Sequence, residues 1–214
     1  MIVMPANWSK NIVHYWAGRF SGYLGHLYSP GAQRGPYQWL PYALDNGRYS
    51  AWDKGIEWDG AAYSRLLQWA KASFQNPRWI LVPDVVADRE ATLKEWDHWK
   101  PILTPFRWPL AFAVQDGMAP DDVPAEASVI FVGGTTEWKW RTVRRWCSSF
   151  PRVHVGRVNG YNKLRLCESL GAESCDGTGW TRGDKHQLDG LYKWLCEQTG
   201  ERARVEQESL FNAA

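Results

Sequence analysis

Along this chain, short apolar runs recur, and each ends in a polar or glycine-bearing tip. They are Pro41-Tyr-Ala-Leu-Asp45-Asn-Gly47, Trp79-Ile-Leu-Val-Pro-Asp84, Leu110-Ala-Phe-Ala-Val-Gln115-Asp-Gly117, Val129-Ile-Phe-Val-Gly-Gly134, Val153-His-Val-Gly156-Arg-Val-Asn159 and Ser174-Cys-Asp176-Gly-Thr-Gly179. Apolar runs of this length, bounded by turn residues and separated by helix-like stretches, predict buried parallel strands in repeated βα units. The expected fold is α/β: a trimmed TIM-like (β/α)8 barrel in a single domain, with an open α/β sheet as its rival. In a barrel all these tips face one mouth, where such folds carry their chemistry.

The same pattern places a first strand at Ile12 to Ala17 and leaves room for an eighth between Ser21 and Tyr28. Helices are expected near Gly60 to Ser73, Arg89 to Leu103, Glu137 to Cys147, Tyr161 to Leu170 and His186 to Thr199. The stretch Gly18 to Gln38 carries Pro30, Gly31, Gly35 and Pro36, which forbid a regular helix and suit a loop over the mouth. The barrel is assigned residues 1–199, and residues 200–214 read as a charged, fraying tail.

At 214 residues the chain can bury one good core, although a full eight-unit barrel usually needs about 250. Fifteen tryptophans fall largely in or beside the predicted helices, where packing against a sheet is their ordinary use. Four cysteines without a CxxC pair indicate reduced thiols rather than a zinc knuckle or a disulfide framework. Met1 to Lys10 lacks a basic segment followed by an apolar stretch, and no run approaches a membrane span. A soluble cytoplasmic protein without membrane contact is the expectation.

Net charge is only +2, but its distribution is uneven. Lys139, Arg141, Arg144, Arg145, Arg152, Arg157, Lys163 and Arg165 lie in a segment free of Asp and Glu, which suits either a polyanion or a solvated helix face. Arg182 and Lys185 add basic residues in a later loop.

Asp45 and Asp176 each follow apolar residues and precede a glycine, so each carboxylate sits at a strand end where the backbone turns and a ligand can approach. Two carboxylates across one pocket suffice for displacement at an anomeric carbon, one attacking C1′ and one handling protons. Both sequences are also ordinary turns. Asp84, Gln115 and Gly133-Gly134 occupy equivalent tips, where a carboxylate, an amide and an exposed backbone N–H can match the edge of a purine-like heterocycle. Each has a plainer reading as a helix cap, a turn or a packing site.

The ordered set of tips resembles the queuine-type tRNA-guanine transglycosylases. Asp45-Asn-Gly-Arg-Tyr49 is similar to their Asp-Ser-Gly-Gly-aromatic segment, and Val114-Gln115-Asp-Gly117 to their Val-Gln-Gly-Gly. Gly133-Gly134 resembles their Gly-Gly-Leu turn, His154-Val-Gly156 their Leu-Met-Gly, and Ser174-Cys-Asp176 sits where they have Phe-Asp-Cys. Only Cys196 follows Asp176, so the cysteine-rich zinc site of the tRNA enzymes has no counterpart here. That lack and the short chain resemble the compact DpdA-type deazapurine DNA-modification proteins of phages and bacterial gene clusters.

The resemblance implies exchange of guanine in DNA for a free 7-deazaguanine base such as preQ0, with no cofactor. It makes Asp176 the nucleophile and Asp45 the general base. Asp84, Gln115 and the amide of Gly134, beside Gly133, would read the base edge, and Tyr49 would stack on its face. Val155 stands at the family's methionine, ahead of Gly156, as the opposite wall. Lys139, Arg141, Arg144, Arg145, Arg157, Arg182 and Lys185 would hold phosphates. A tRNA-directed transglycosylase, a barrel glycoside hydrolase and a non-catalytic nucleic-acid-binding barrel are the alternatives. Whether a partner protein or a second copy completes the binding surface is left open.

Overall fold

The computed structural model describes residues 1–6, 11–31, 37, 39–182 and 184–201. The predicted tail from 202 onward and most of the loop at 32–38 lie outside them. In chain order the elements are β1 (Ile2–Pro5), α1 (Asn11–Arg19), β2 (His26–Tyr28), β3 (Tyr42–Leu44), α2 (Arg48–Asp53), α3 (Gly60–Lys71), β4 (Ile80–Leu81) and α4 (Arg89–Leu103). They continue with β5 (Leu110–Val114), β6 (Val129–Val132), α5 (Thr136–Ser149), β7 (Val153–Val155), α6 (Tyr161–Ser169), β8 (Ser174–Gly177), α7 (Gly179–Arg182) and α8 (Lys185–Thr199).

All eight strands are parallel, in the order β1-β8-β7-β6-β5-β4-β3-β2. The two ends of that sheet meet through the bridges Val3 to Leu24 and Ala6 to Leu27, reinforced where Val3 N–H donates to Tyr23 O and Gly25 N–H to Val3 O, each at 2.9 Å. This closure makes the sheet an eight-stranded parallel α/β barrel of the TIM kind, trimmed in that β2 to β3 and β5 to β6 are joined without an α-helix among the described residues. Glycine at 25 permits the seam, since a Cβ there would lie 2.7 Å from Pro41 O.

Alternation along each short strand sorts side chains into two cores. Met4, Leu27, Ala43, Trp79, Leu81, Ala111, Ala113 and Val129 form one buried cluster, filling the barrel interior. The intervening residues, among them Val3, Leu44, Phe112, Val132, Val155 and Cys175, belong to a larger cluster with the helices. Trp96 of α4 meets Phe112 edge-on at 5.3 Å in that outer layer. At the strand starts Arg152 grips Glu173 with two bonds (2.6 and 2.9 Å) and Arg78 adds a third (2.8 Å). Burial alone would raise the Glu173 carboxyl, but these arginines overcome it and hold it at about 2.

The segment Ile12 to Ala17, expected as the first strand, is helix α1, and the first strand is Ile2–Pro5. Val13, Trp16, Ala17 and Phe20 recur at helical spacing and all are buried, so one stripe of α1 docks on the barrel while Tyr15 stays exposed. Strand β2 falls where room was left for an eighth strand, so the stretch Gly18 to Gln38 is only partly loop. Helices α2 and α7 were not expected. The five predicted helices stand within two residues of their expected ends. Most tryptophans pack as expected, whereas Trp52 on α2 is exposed. The four cysteines are free thiols. Among the described residues no helix is long and apolar enough to cross a membrane.

Candidate active site at the barrel mouth

Asp45 follows β3, Asp84 and Gln115 follow β4 and β5, and Asp176 lies on β8, so parallel closure brings them to one end of the barrel. Parity does the rest. Leu44, Val114, Val155 and Cys175 face the helices, which turns their neighbours Asp45, Gln115, Gly156 and Asp176 inward.

Asp176 is nearly buried. Its Oδ1 accepts the backbone N–H of Arg157 at 2.8 Å and lies 3.2 Å from Nε2 of His154. Its Oδ2 has no bond to any described residue. Gly156 makes this approach possible, because a Cβ there would stand 2.7 Å from the Phe131 ring and 3.4 Å from Asp176 Oδ1. His154 is fully buried beneath the carboxylate, stacked on Phe131 at 4.9 Å and edge-on to Trp79 at 4.7 Å. Its Nδ1 lies 2.8 Å from Ser174 Oγ. An ionised carboxylate only accepts, so the ring carries its proton on Nε2 and takes the Ser174 hydroxyl at Nδ1.

Asp45 accepts from Ser29 Oγ at 3.0 Å. Burial pushes its carboxyl up to about 6, and the negative charge of Asp176 pushes in the same direction, so the two groups share one electrostatic environment. Asp84 is also raised to about 6, first by burial and secondarily by Asp45, while a bond from Asn46 opposes the shift. Three acidic groups thus converge, and two are poised to exchange protons near neutral pH.

Beside Asp45 runs a chain of amides. Asn46 Nδ2 donates to Asp84 Oδ1 and Gln115 Nε2 to Asp84 Oδ2, both at 2.7 Å, while Gln115 Oε1 accepts from Ala87 N–H at 2.9 Å. Gln115 is therefore buried behind Asp84 and orients it, instead of meeting a ligand edge itself. Asn46, which sequence reasoning passed over as a turn residue, is the second support of Asp84. Gly133 leaves room for the Gln115 amide, 3.3 Å from where a Cβ would be. Gly134 has φ 67 and is pressed between Asp116 and Trp138. Its N–H has no bond to any described residue, whereas its carbonyl accepts from the Arg157 guanidinium.

Three further expected assignments change. Val155 is fully buried toward the helices and cannot be a wall of the mouth, because strand alternation turns it away. Lys139 is fully buried, and its Nζ donates to the carbonyls of Gly156 and, at 3.4 Å, of Arg157, so it is no phosphate contact. Burial, with the Arg157 charge adding to it, lowers its ammonium to about 7. Arg157 lies within the mouth, with its Cζ 4.0 Å from the centroid of Tyr49.

The remaining basic residues divide by position. Arg141, Arg144 and Arg145 are exposed on α5, which descends from the mouth at about 1.5 Å per residue. Arg144 and Arg145 therefore sit about 12 Å below it. Arg182 and Lys185 are exposed in the segment that follows β8, on the mouth side. Tyr49, on α2 after Asp45, is half-buried with Trp52 beside it at 5.6 Å.

No protein-family model matches the chain, and no curated protein matches it. Among solved structures it is similar to the YdjI aldolase of Escherichia coli K12, with a TM-score of 0.52 and 11% sequence identity over 94% of this chain and 82% of that one. At that identity the likeness concerns the barrel fold alone.

Proposed function

We propose that this chain is a base-exchange transglycosylase that replaces guanine in DNA with a 7-deazaguanine base through a covalent glycosyl intermediate on Asp176. The observation that carries this reading is geometric: parallel closure puts Asp45, at the end of β3, and Asp176, on β8, at one mouth, with Asp176 Oδ1 held by the Arg157 N–H and 3.2 Å from His154 Nε2.

The chemistry follows from these groups. Asp176 Oδ2 attacks C1′ of the deoxynucleotide, the C1′–N9 bond breaks with its electron pair, and the departing guanine takes the proton carried by the Asp45 carboxyl. The incoming base gives its N9 proton to Asp45, its N9 re-forms the bond to C1′, and the Asp176 ester bond breaks to regenerate the carboxylate. One proton is given and one taken, and one glycosidic bond replaces another, so no triphosphate is consumed. A paired base is out of reach inside a duplex, so the target must be flipped or single-stranded, at a cost of a few kcal/mol.

Incubation with DNA or tRNA carrying labelled guanine, with and without preQ0, tests the reading. Label release from DNA together with an adduct lost in Asp176→Ala is the expected result. Release from tRNA alone would transfer the activity to the other polymer, and no release from either by folded protein would overturn it.

A further inference from the structure

Arg157 is joined to three parts of the mouth at once. Its backbone N–H holds Asp176 Oδ1, its guanidinium lies 4.0 Å over the Tyr49 ring, and the same group donates to the carbonyl of Gly134. Its φ of 54 puts a non-glycine residue in the left-handed region, a conformation that persists only where the surroundings impose it. The surroundings here are visible: Lys139, locked under the turn, bonds the carbonyls of Gly156 and Arg157 from below.

A flat ring inserted between Tyr49 and Arg157 would need two contacts of about 3.5 Å, or about 7 Å between their faces. The observed 4.0 Å leaves no such space. The guanidinium therefore already occupies the position a heterocycle would take, and it does so with matching chemistry. Guanine-type bases carry an N–C(N)–N unit at their 2-amino edge, planar and rich in N–H donors, as a guanidinium is. On Tyr49 it stacks as a base would, and at Gly134 O it donates as a 2-amino edge would.

We propose that Arg157 is a built-in stand-in for the 2-amino edge of the substrate base, so that the slot is self-occupied when empty and selects planar heterocycles bearing that edge. This rests on the reading of the mouth as a guanine-exchange site and specifies how that site chooses its base. When the base enters, the guanidinium leaves Tyr49 and Gly134 O becomes free to accept the 2-amino group. The backbone N–H on Asp176 is retained because Lys139 holds the turn independently of the side chain.

Calorimetric titration of free 7-deazaguanine, guanine and hypoxanthine, which lacks the 2-amino group, into wild type, Arg157→Gly and Arg157→Lys tests this without catalysis. The glycine variant keeps the left-handed backbone at no steric cost. Removing the occupant should tighten 2-amino bases by on the order of tenfold, since the competent empty slot becomes the populated state. Lysine, which keeps the charge but not the plane, should behave like glycine. Guanidinium ion at millimolar concentration should compete with 7-deazaguanine in Arg157→Gly and not in wild type.

Weaker or unchanged binding in Arg157→Gly, wild-type behaviour of Arg157→Lys, hypoxanthine binding Arg157→Gly as tightly as guanine does, or no binding by any variant would each overturn the proposal. Exchange activity with no tightening would remove the stand-in and leave the transglycosylase reading intact. Tightening without label release or adduct would do the reverse.

Discussion

Nε2 of His154 lies 3.2 Å from Oδ1 of Asp176, so a ring sealed inside the barrel holds the carboxylate that faces the mouth. A hydrogen bond to a charged group is worth about 1.5 to 3 kcal/mol. His154→Phe keeps an aromatic ring between Phe131 and Trp79 and removes the bond. Adduct formation should slow by about 10- to 100-fold, with a smaller loss in Ser174→Ala, which only frees Nδ1. Quench-flow measurement of the adduct in both variants decides it, and an unchanged rate in His154→Phe would make the contact incidental.

The state of Asp45 sets a stability cost with a defined sign. Its carboxyl is held at about 6 against an ordinary value of 3.8. Between those pH values the folded chain keeps a proton that the unfolded chain has released, so this group lowers stability as pH rises from about 4 to 6 and leaves a constant cost above. Asp45→Asn should gain on the order of 1 to 2 kcal/mol at pH 7.5, allowing for partial solvent screening, while exchange falls by at least about 100-fold. Asp84 is raised in the same way, so the slope between pH 4 and 6 should shrink without vanishing. Urea titrations at four pH values measure both quantities, and an Asp45→Asn protein no more stable than wild type would refute the buried charge.

The basic residues should separate in salt titrations. Arg182→Gln and Lys185→Gln, on the mouth side, should each reduce the slope of log affinity against log salt for single-stranded DNA by about 1. Arg144→Gln and Arg145→Gln, on the flank of α5, should leave the slope unchanged. The opposite pattern in a filter-binding series would route the polymer along α5 and away from the mouth.

Much of this was legible in sequence. The apolar runs with polar ends fixed parallel strands at six places, because a strand buried on both faces has to be apolar along its length. Helix spacing fixed five helices for a similarly local reason. The mistaken strand at Ile12 to Ala17 shows where local reading stops: its dense apolar residues suit either period, and only the stripe Val13, Trp16, Ala17, Phe20 seen against the barrel distinguishes them.

What the sequence by itself determined was which carboxylates and amides stand at strand ends, since a tip is defined by its own neighbours. Which way each side chain points, and what it meets there, was decided only by closure of the barrel. Closure turned Val155 outward and His154 inward, drew Lys139 off the surface, and laid Arg157 across Tyr49 from a strand more than a hundred residues away. Such contacts depend on strand parity and register between distant segments, and no local pattern encodes them.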